Sequence, residues 1–421
     1  MPLPLFLPCA AGVEALLGAE VRALLPRAQV ETQRGGVALD AELRDVMLLN
    51  LESRLAQRVL IEVAAGDYRN EDDLYALARS VEWDEWIGPQ QTLRVDSTAQ
   101  KSPLRSLNFA ALRVKDAVCD RMRESSGERP SVDTAHPDLQ VLLHVGAQRA
   151  SVYVDSSGDA LFKRGWRADT GDAPLKETLA AAMLGAAGWR GNAGSGGALH
   201  DPCCGSGTIA IEAAQIACGI AAGSLRRFGF EKLRPFADAD ARAELQRLRS
   251  HAKARVRAPE VPIFASDISF RMIDFARRNA ERAGVGHAIV FNGGDALERP
   301  PPSLPSDLHG TLLMNPPYGE RIEVAGKAAR GASRESAEDR ATPSDFFSRL
   351  AAHWKRAYTS HPGGWTAWIL SPDPRLPSAM RLKESRRVPM WNGPIECRLF
   401  RFDLIAGSAR RERPNTAASQ A

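Results

Sequence analysis

Apolar residues recur along the chain in two rhythms. Between Ala10 and Leu25 they fall at Val13, Leu16, Leu17, Val21, Leu24 and Leu25, which is the spacing of an amphipathic helix. Leu3 to Pro8 ahead of it is a short apolar run of strand type. Further short strands are expected at Val37 to Leu39, Arg58 to Val63 and Thr92 to Asp96, alternating with helices near 41–50, 71–80 and 106–124. That pattern predicts two small α/β modules. A link near 155–173 follows. Beyond it, strands around 198, 263, 289, 312, 367 and 398 alternate with helices. This βα rhythm implies a parallel sheet with a late antiparallel hairpin and ligands at the carboxyl ends of its strands. The basic, helical stretch Gly219–Glu260 interrupts the rhythm as an insertion.

Two of the strand ends carry candidate chemistry. Ala198-Leu199 leads into Asp201-Pro202-Cys203-Cys204-Gly205-Ser206-Gly207-Thr208 and then the helix-like run Ile209 to Cys218, so the order is strand, glycine turn, helix. Glycines at 205 and 207 let backbone approach a ligand closely, and the N–H groups of the first helical turn face it. A dinucleotide site is the rival, because Gly205 to Ala210 nearly satisfies its glycine fingerprint. Two features count against it. The next strand-ending acid, Asp267, lies about 60 residues on and not ~20, and Asp201 puts a carboxylate where a pyrophosphate would be repelled. A cationic ligand suits that carboxylate. S-adenosylmethionine carries an ammonium and a sulfonium and no phosphate; Asp267 would then hold its ribose hydroxyls and Asp295 would approach the adenine amine. Turn or helix capping is the alternative role for both acids. The second strand end is Asn315-Pro316-Pro317-Tyr318 after the apolar run Thr311 to Met314. Paired prolines fix two backbone angles and remove two donors, so a flat amino group could meet the Asn315 side-chain oxygen and the Pro316 carbonyl while Tyr318 stacks on its ring. The exocyclic amine of a nucleobase fits, although a Pro-Pro turn also ends many strands for steric reasons alone.

Composition narrows the setting. A chain of 421 residues with 44% hydrophobic content can bury two or three domain cores. Its six cysteines show no C-x-x-C pair and no even framework, which points to a reduced cytosol. The apolar N-terminus lacks a basic start and is interrupted by proline, so it reads as a first strand. No apolar run approaches ~18 residues, so no membrane span is expected, and the eight histidines show no metal-ligand spacing. Net charge is +4, but residues 1–169 hold 20 Lys and Arg against 25 Asp and Glu, so any nucleic-acid contact there must be local. One candidate patch is Lys101, Arg105, Arg113 and Lys115; another is Lys163, Arg164 and Arg167 around Trp166. On charge alone, either is an ordinary solvated face.

These motifs in order resemble a known family. Asp201 to Thr208 with Asn315 to Arg321 is similar to the class I methyltransferases that modify guanine N2 in RNA. Leu161 to Arg167 followed by Ala173 to Ala182 resembles the entry to the catalytic domain of bacterial 23S rRNA guanine-N2 methyltransferases of the THUMP class. The likeness extends through Gly35-Gly36-Val37, Ser53 to Ala56 and Leu112 to Ala117, and covers roughly residues 3–405. It departs at Cys203, where the family often has an apolar residue such as Met, in the glycine-rich link 191–197, and at 326–343, which reads as an inserted loop. The resemblance implies a ferredoxin-like part (1–50), a THUMP RNA-binding domain (51–157), a Rossmann-like class I methyltransferase domain with a mostly parallel seven-stranded sheet (158–407) and a disordered tail (408–421). S-adenosylmethionine would lie against Asp201, Pro202, Cys203, Gly205, Ser206, Gly207, Thr208, Asp267, Ile268, Asp295, Ala296 and Asn315. Asn315, Pro316, Pro317 and Tyr318 would handle the guanine. It turns the first basic patch, and to a lesser degree the second, into RNA contacts. The implied partner is 23S rRNA or a pre-ribosomal particle, with no metal and no membrane. A transfer RNA guanine, a DNA adenine or protein glutamine amide, and a non-catalytic assembly factor are the other readings. Glu320 reads as a surface residue, not a base.

Overall fold

The computed structural model describes residues 2–171, 174–316 and 343–406. Pro317, Tyr318, nearly all of the expected 326–343 loop and the 408–421 tail lie outside the described residues.

The first half builds one sheet. Its strands are β1 (Leu3–Pro8), β2 (Val30–Gln33), β3 (Gly36–Ala41), β4 (Leu60–Asp67), β5 (Thr92–Ala99), β6 (Ser131–Val132), β7 (Leu139–Val145) and β8 (Arg149–Asp155), in the order β2-β3-β1-β4-β8-β7-β5-β6. The helices are α1 (Glu14–Leu24), α2 (Leu43–Glu52), α3 (Glu71–Arg79) and α4 (Leu107–Ser126). Each follows from local sequence. Leu17 and Val21 of α1 are buried one turn apart. Asn70 caps α3 by accepting from the Asp72 and Asp73 amides, and α4 starts at the Ser106 cap and stops at Gly127, whose φ is +75°. The two modules expected from the sequence share this sheet because β4 pairs along its length with β8, from Leu60 opposite Asp155 to Asp67 opposite Arg149. Their apolar faces therefore close over one continuous core.

The second half has α5 (Glu177–Ala187), β9 (Ala198–Asp201), α6 (Thr208–Ala217), α7 (Ala239–Ala254), β10 (Ile263–Asp267), α8 (Phe270–Arg282), β11 (Ile289–Gly293), β12 (Gly310–Met314), α9 (Pro343–Ala357), β13 (Trp365–Ser371), α10 (Leu376–Met380), β14 (Arg386–Asn392) and β15 (Ile395–Leu404). The sheet order is β11-β10-β9-β12-β13-β15-β14. β9 to β13 are parallel and β15 is antiparallel to both its neighbours, as the hydrophobic rhythm predicted. Every residue of β9, β12 and β13 is buried, which is what helices on both faces require. The chain leaves β9 toward β10 on one side and returns to β12 on the other, so the order reverses at the β9/β12 boundary and opens a crevice at their carboxyl ends.

Candidate functional site

Four residues stand at that crevice because the strands end there. Asp201 is the last residue of β9 and Asp267 the last of β10; Asp295 follows β11 by two residues, and Asn315 follows β12 directly. Strand register aligns them: Ala265 lies opposite Asp201, Asp267 opposite Gly293, and Leu312 opposite His200. Asp201 is thus flanked by the Asp267 end on one side and the Asn315 end on the other.

The turn after β9 is fixed by backbone geometry and by Asp267. Gly205 and Gly207 have φ of +53° and +93°, the left-handed region that glycine enters without a Cβ penalty. A side chain at 207 would meet the Ala276 Cβ of α8 at 3.0 Å. One Asp267 carboxylate oxygen accepts from the Gly205 amide at 2.9 Å and the other from the Ser269 amide at 2.9 Å. Asp295 likewise accepts from the Leu297 amide at 2.9 Å. Both acids therefore serve their own turns, the role that capping predicts.

Asp201 differs. It is 1% exposed, its Oδ1 accepts from the Cys203 amide at 3.2 Å, and its Oδ2 is buried with no hydrogen-bond partner among the described residues. Burial, and then the neighbouring Asp267, push its carboxyl well above the usual range. A buried acceptor left unsatisfied costs roughly 1–3 kcal/mol, and a cationic donor is what would relieve it. Burial pushes Asp267 up as well. The Cys203 thiol is raised by burial and by Asp267, Asp201 and Asp295, which makes it a poor nucleophile. Pro202 is buried, Cys203 and Ala296 pack beside the second apolar core, and Ile268 is 39% exposed at the crevice edge.

Two neighbours were not singled out from the sequence. Phe270 is 80% exposed with its ring against Gly293, where a Cβ would lie 2.6 Å away. Arg299 donates to the Gly293 carbonyl at 2.7 Å and holds the turn that carries Asp295. The sequence cue for Phe270 was an aromatic opening a helix just past a strand-end acid.

The second basic patch needs correction. Arg164 is buried and donates to Glu212 of α6 at 3.0 Å; Arg54 from the first half reaches the same carboxylate at 3.3 Å. Trp166 is buried with it. An apolar, well-packed surrounding and a buried acid in another element claimed Arg164, so it is not presented to RNA. Arg167 is half-buried. Its guanidinium donates to Glu177 at 2.8 Å, to the Ser206 hydroxyl at 3.0 Å and to the Thr208 hydroxyl at 2.8 Å, and lies over the Trp166 ring. It clamps the glycine turn from behind. Asn279 of α8 adds a second tie, donating to the Ser206 and Asp169 carbonyls. Lys163 is exposed and paired with Asp159.

In the first patch Lys101 and Arg105 are exposed, whereas Arg113 pairs with Asp72 at 2.7 Å over the Tyr75 ring and Lys115 with Asp116 at 2.6 Å. Asn315 is half-buried and Pro316 buried at the end of β12. Among the described residues no cluster of His, Cys, Asp or Glu could hold a metal, and no helix is long and apolar enough to cross a membrane.

Three family descriptions match successive parts of the chain. Residues 164–401 match the family described as RMKL-like, methyltransferase domain; residues 68–155 match the THUMP domain and residues 4–60 the RlmL ferredoxin-like domain. The ribosomal RNA large subunit methyltransferase K/L of Shewanella amazonensis is 34% identical over 97% of this chain and 54% of its own. The chain spans about half the length of the curated relatives it matches. Among solved structures, the SAH complex of SMU.472, described as a methyltransferase, superposes with a TM-score of 0.80 at 25% identity, covering 97% of this chain and 99% of that one. A Listeria monocytogenes protein named as an N6-adenine-specific DNA methylase gives 0.77 at 26%, covering 96% of each chain.

Proposed function

We propose a function from one premise: the chain belongs to the family of RMKL-like methyltransferase domains. With S-adenosylmethionine as cofactor it methylates the exocyclic N2 of a guanine in large-subunit ribosomal RNA. The observation that carries this reading is Asp201, a buried carboxylate with one unpartnered oxygen, set between the Asp267 and Asn315 strand ends at the point where the strand order reverses. That oxygen fits a ligand with a cationic end and does not fit a pyrophosphate.

The residues divide the work. Asp201 and the backbone of Gly205 to Thr208 would hold the cationic end of the cofactor, Asp267 the ribose hydroxyls, Ile268 and Ala296 the faces of the adenine, and Asp295 its amine. When bound, S-adenosylmethionine supplies a methyl group on a sulfonium that leaves readily. Guanine N2 is a poor nucleophile because its lone pair is delocalised into the ring. The Asn315 side-chain oxygen and the Pro316 carbonyl would accept from the amine, favour its pyramidal form and stabilise the positive charge that develops on nitrogen. Alignment of the two reactants by this frame can be worth ~7–11 kcal/mol. The released proton goes to water, and no side chain is assigned as base. Tyr318, outside the described residues, is proposed to stack on the extruded base. Lys101 and Arg105 anchor the RNA on the THUMP part, with Arg113 and Lys115 joining on release from their ion pairs.

Tritiated methyl transfer to ribosomal RNA lacking the modification, with products identified by mass, tests the reading. N2-methylguanosine is expected. A second reading, adenine N6, is favoured by the name of the Listeria neighbour; methyl on adenine would replace guanine, and methyl on transfer RNA alone would move the target.

A further inference from the structure

A cleft of about 630 Å3 lies where the link after β8 meets the catalytic domain, and Lys163, Arg164 and Arg167 of the second basic patch form part of its lining. Six Lys and Arg side chains line it against two acids, Asp159 and Glu177. Two of the six are committed: Arg164 to Glu212 and Arg167 to Glu177. Arg226 donates to the carbonyls of Ser157, Asp159, Ala160 and Lys163 and so ties down the link; burial lowers it to about 10, which leaves it charged at neutral pH. The other three, Lys163, Lys176 and Arg227, are exposed. Among the described residues Lys176 has no acidic partner, and it sits 5.0 Å from the centroid of the Phe162 ring. Lys163 pairs with Asp159 at 2.8 Å, but both are exposed, and a solvated pair of this kind is weak enough for a phosphate to displace it.

Three free or easily freed cations around one aromatic face make the pattern that binds a nucleic-acid strand by its phosphates and one base. The position supports it. The cleft begins just past Asp155, the end of β8, and on its other side Arg167 reaches Ser206 and Thr208 of the glycine turn. The cleft therefore lies between the end of the first-half sheet and the residues that brace the glycine turn. The volume suits a single nucleotide and not a duplex.

We propose that this cleft is the track for single-stranded RNA, with phosphates against Lys163, Lys176 and Arg227 and a base against Phe162. The proposal rests on the reading of the chain as an RNA methyltransferase. The test is fluorescence anisotropy of a short labelled polyuridylate on the full chain as salt is varied. Changing Lys163, Lys176 and Arg227 together to Ala should weaken binding about tenfold or more and lower the logarithmic salt slope by about 2, since each single-strand phosphate contact contributes ~0.7. S-adenosylmethionine affinity, measured by calorimetry on the same variant, should stay unchanged and shows that it has folded. Phe162→Ala should lower affinity with no change of slope. Replacing Arg242, Arg247 and Lys253 of α7, none of which lines the cleft, removes the same charge and should leave the slope nearly intact. An unchanged slope in the cleft variant, or an equal fall in the α7 variant, overturns the proposal. Binding is read without turnover, so a wild-type chain that binds polyuridylate through the cleft yet methylates no RNA contradicts the proposed reaction and not the track.

Discussion

Two runs of basic residues that look alike in the sequence meet opposite fates. Lys101 and Arg105 stay in solvent, and Arg113 and Lys115 pair on the surface with Asp72 and Asp116. Arg164 and Arg167 turn inward: one is fully buried against Glu212, and the other bridges Glu177 to the glycine turn. The sign of charge is the same in both. What separates them is an acid supplied by a helix of the catalytic domain, Glu212 from α6 and Glu177 from α5, close enough to take the guanidinium out of water. Basic residues inside a segment that packs against apolar helices are cement, and those at the mouth of an exposed helix are available to a partner.

The largest effect should come from the cement. Arg164→Ala leaves Glu212 buried with Arg54 as its remaining partner, and should cost about 3–5 kcal/mol of stability by denaturant unfolding; a loss below about 1 kcal/mol would show that the pair is not a structural tie. Next is Arg167→Ala, which removes two hydrogen bonds to the glycine turn, at Ser206 and Thr208, together with the ion pair to Glu177. It should weaken S-adenosylmethionine by about 1–3 kcal/mol in a calorimetric titration, with RNA affinity held. The reverse split would return Arg167 to the RNA surface.

Buried acids sharpen the same contrast. Among the described residues Glu212 has two arginines and Asp201 has none, and the raised carboxyl of Asp201 keeps a proton above the ordinary carboxylate range. A raised folded-state value means that the neutral form's stability is present at low pH and lost as pH rises through that value. A cationic ligand favours the carboxylate, so S-adenosylmethionine affinity should increase with pH across that window and binding should release a proton. Calorimetry in two buffers of different ionisation heat reads this directly, and Asp201→Asn should abolish the proton release. The smallest effect on stability belongs to the exposed patch. Changing Lys101 and Arg105 to Ala should alter it by no more than about 0.5 kcal/mol, while the salt slope for RNA falls by about 0.7–0.9 per residue.

Much of the catalytic fold was legible because its central strands β9, β12 and β13 are fully buried and read as apolar runs, and because acids or Asn-Pro stand at the strand ends. Asp201, Asp267, Asp295 and Asn315 come together for that reason: parallel strands put their carboxyl ends on one edge. The joining of β4 to β8 was not legible, since backbone pairing between segments far apart in the chain leaves little trace in side-chain pattern. Nor was the burial of Arg164, whose partner is 48 residues away. Phe270 escaped notice because exposure of an aromatic depends on which neighbour is glycine, here Gly293 one strand over.

In the proposed reaction the glycine turn holds the cofactor while the turn after β12 orients the amine, as two separate devices. Asn315→Ala, assayed in parallel by S-adenosylmethionine calorimetry and by tritiated methyl transfer to unmodified ribosomal RNA, separates them. Turnover should fall about a hundredfold or more with cofactor affinity nearly unchanged. Full turnover in this variant, or a loss explained by cofactor affinity alone, would contradict it.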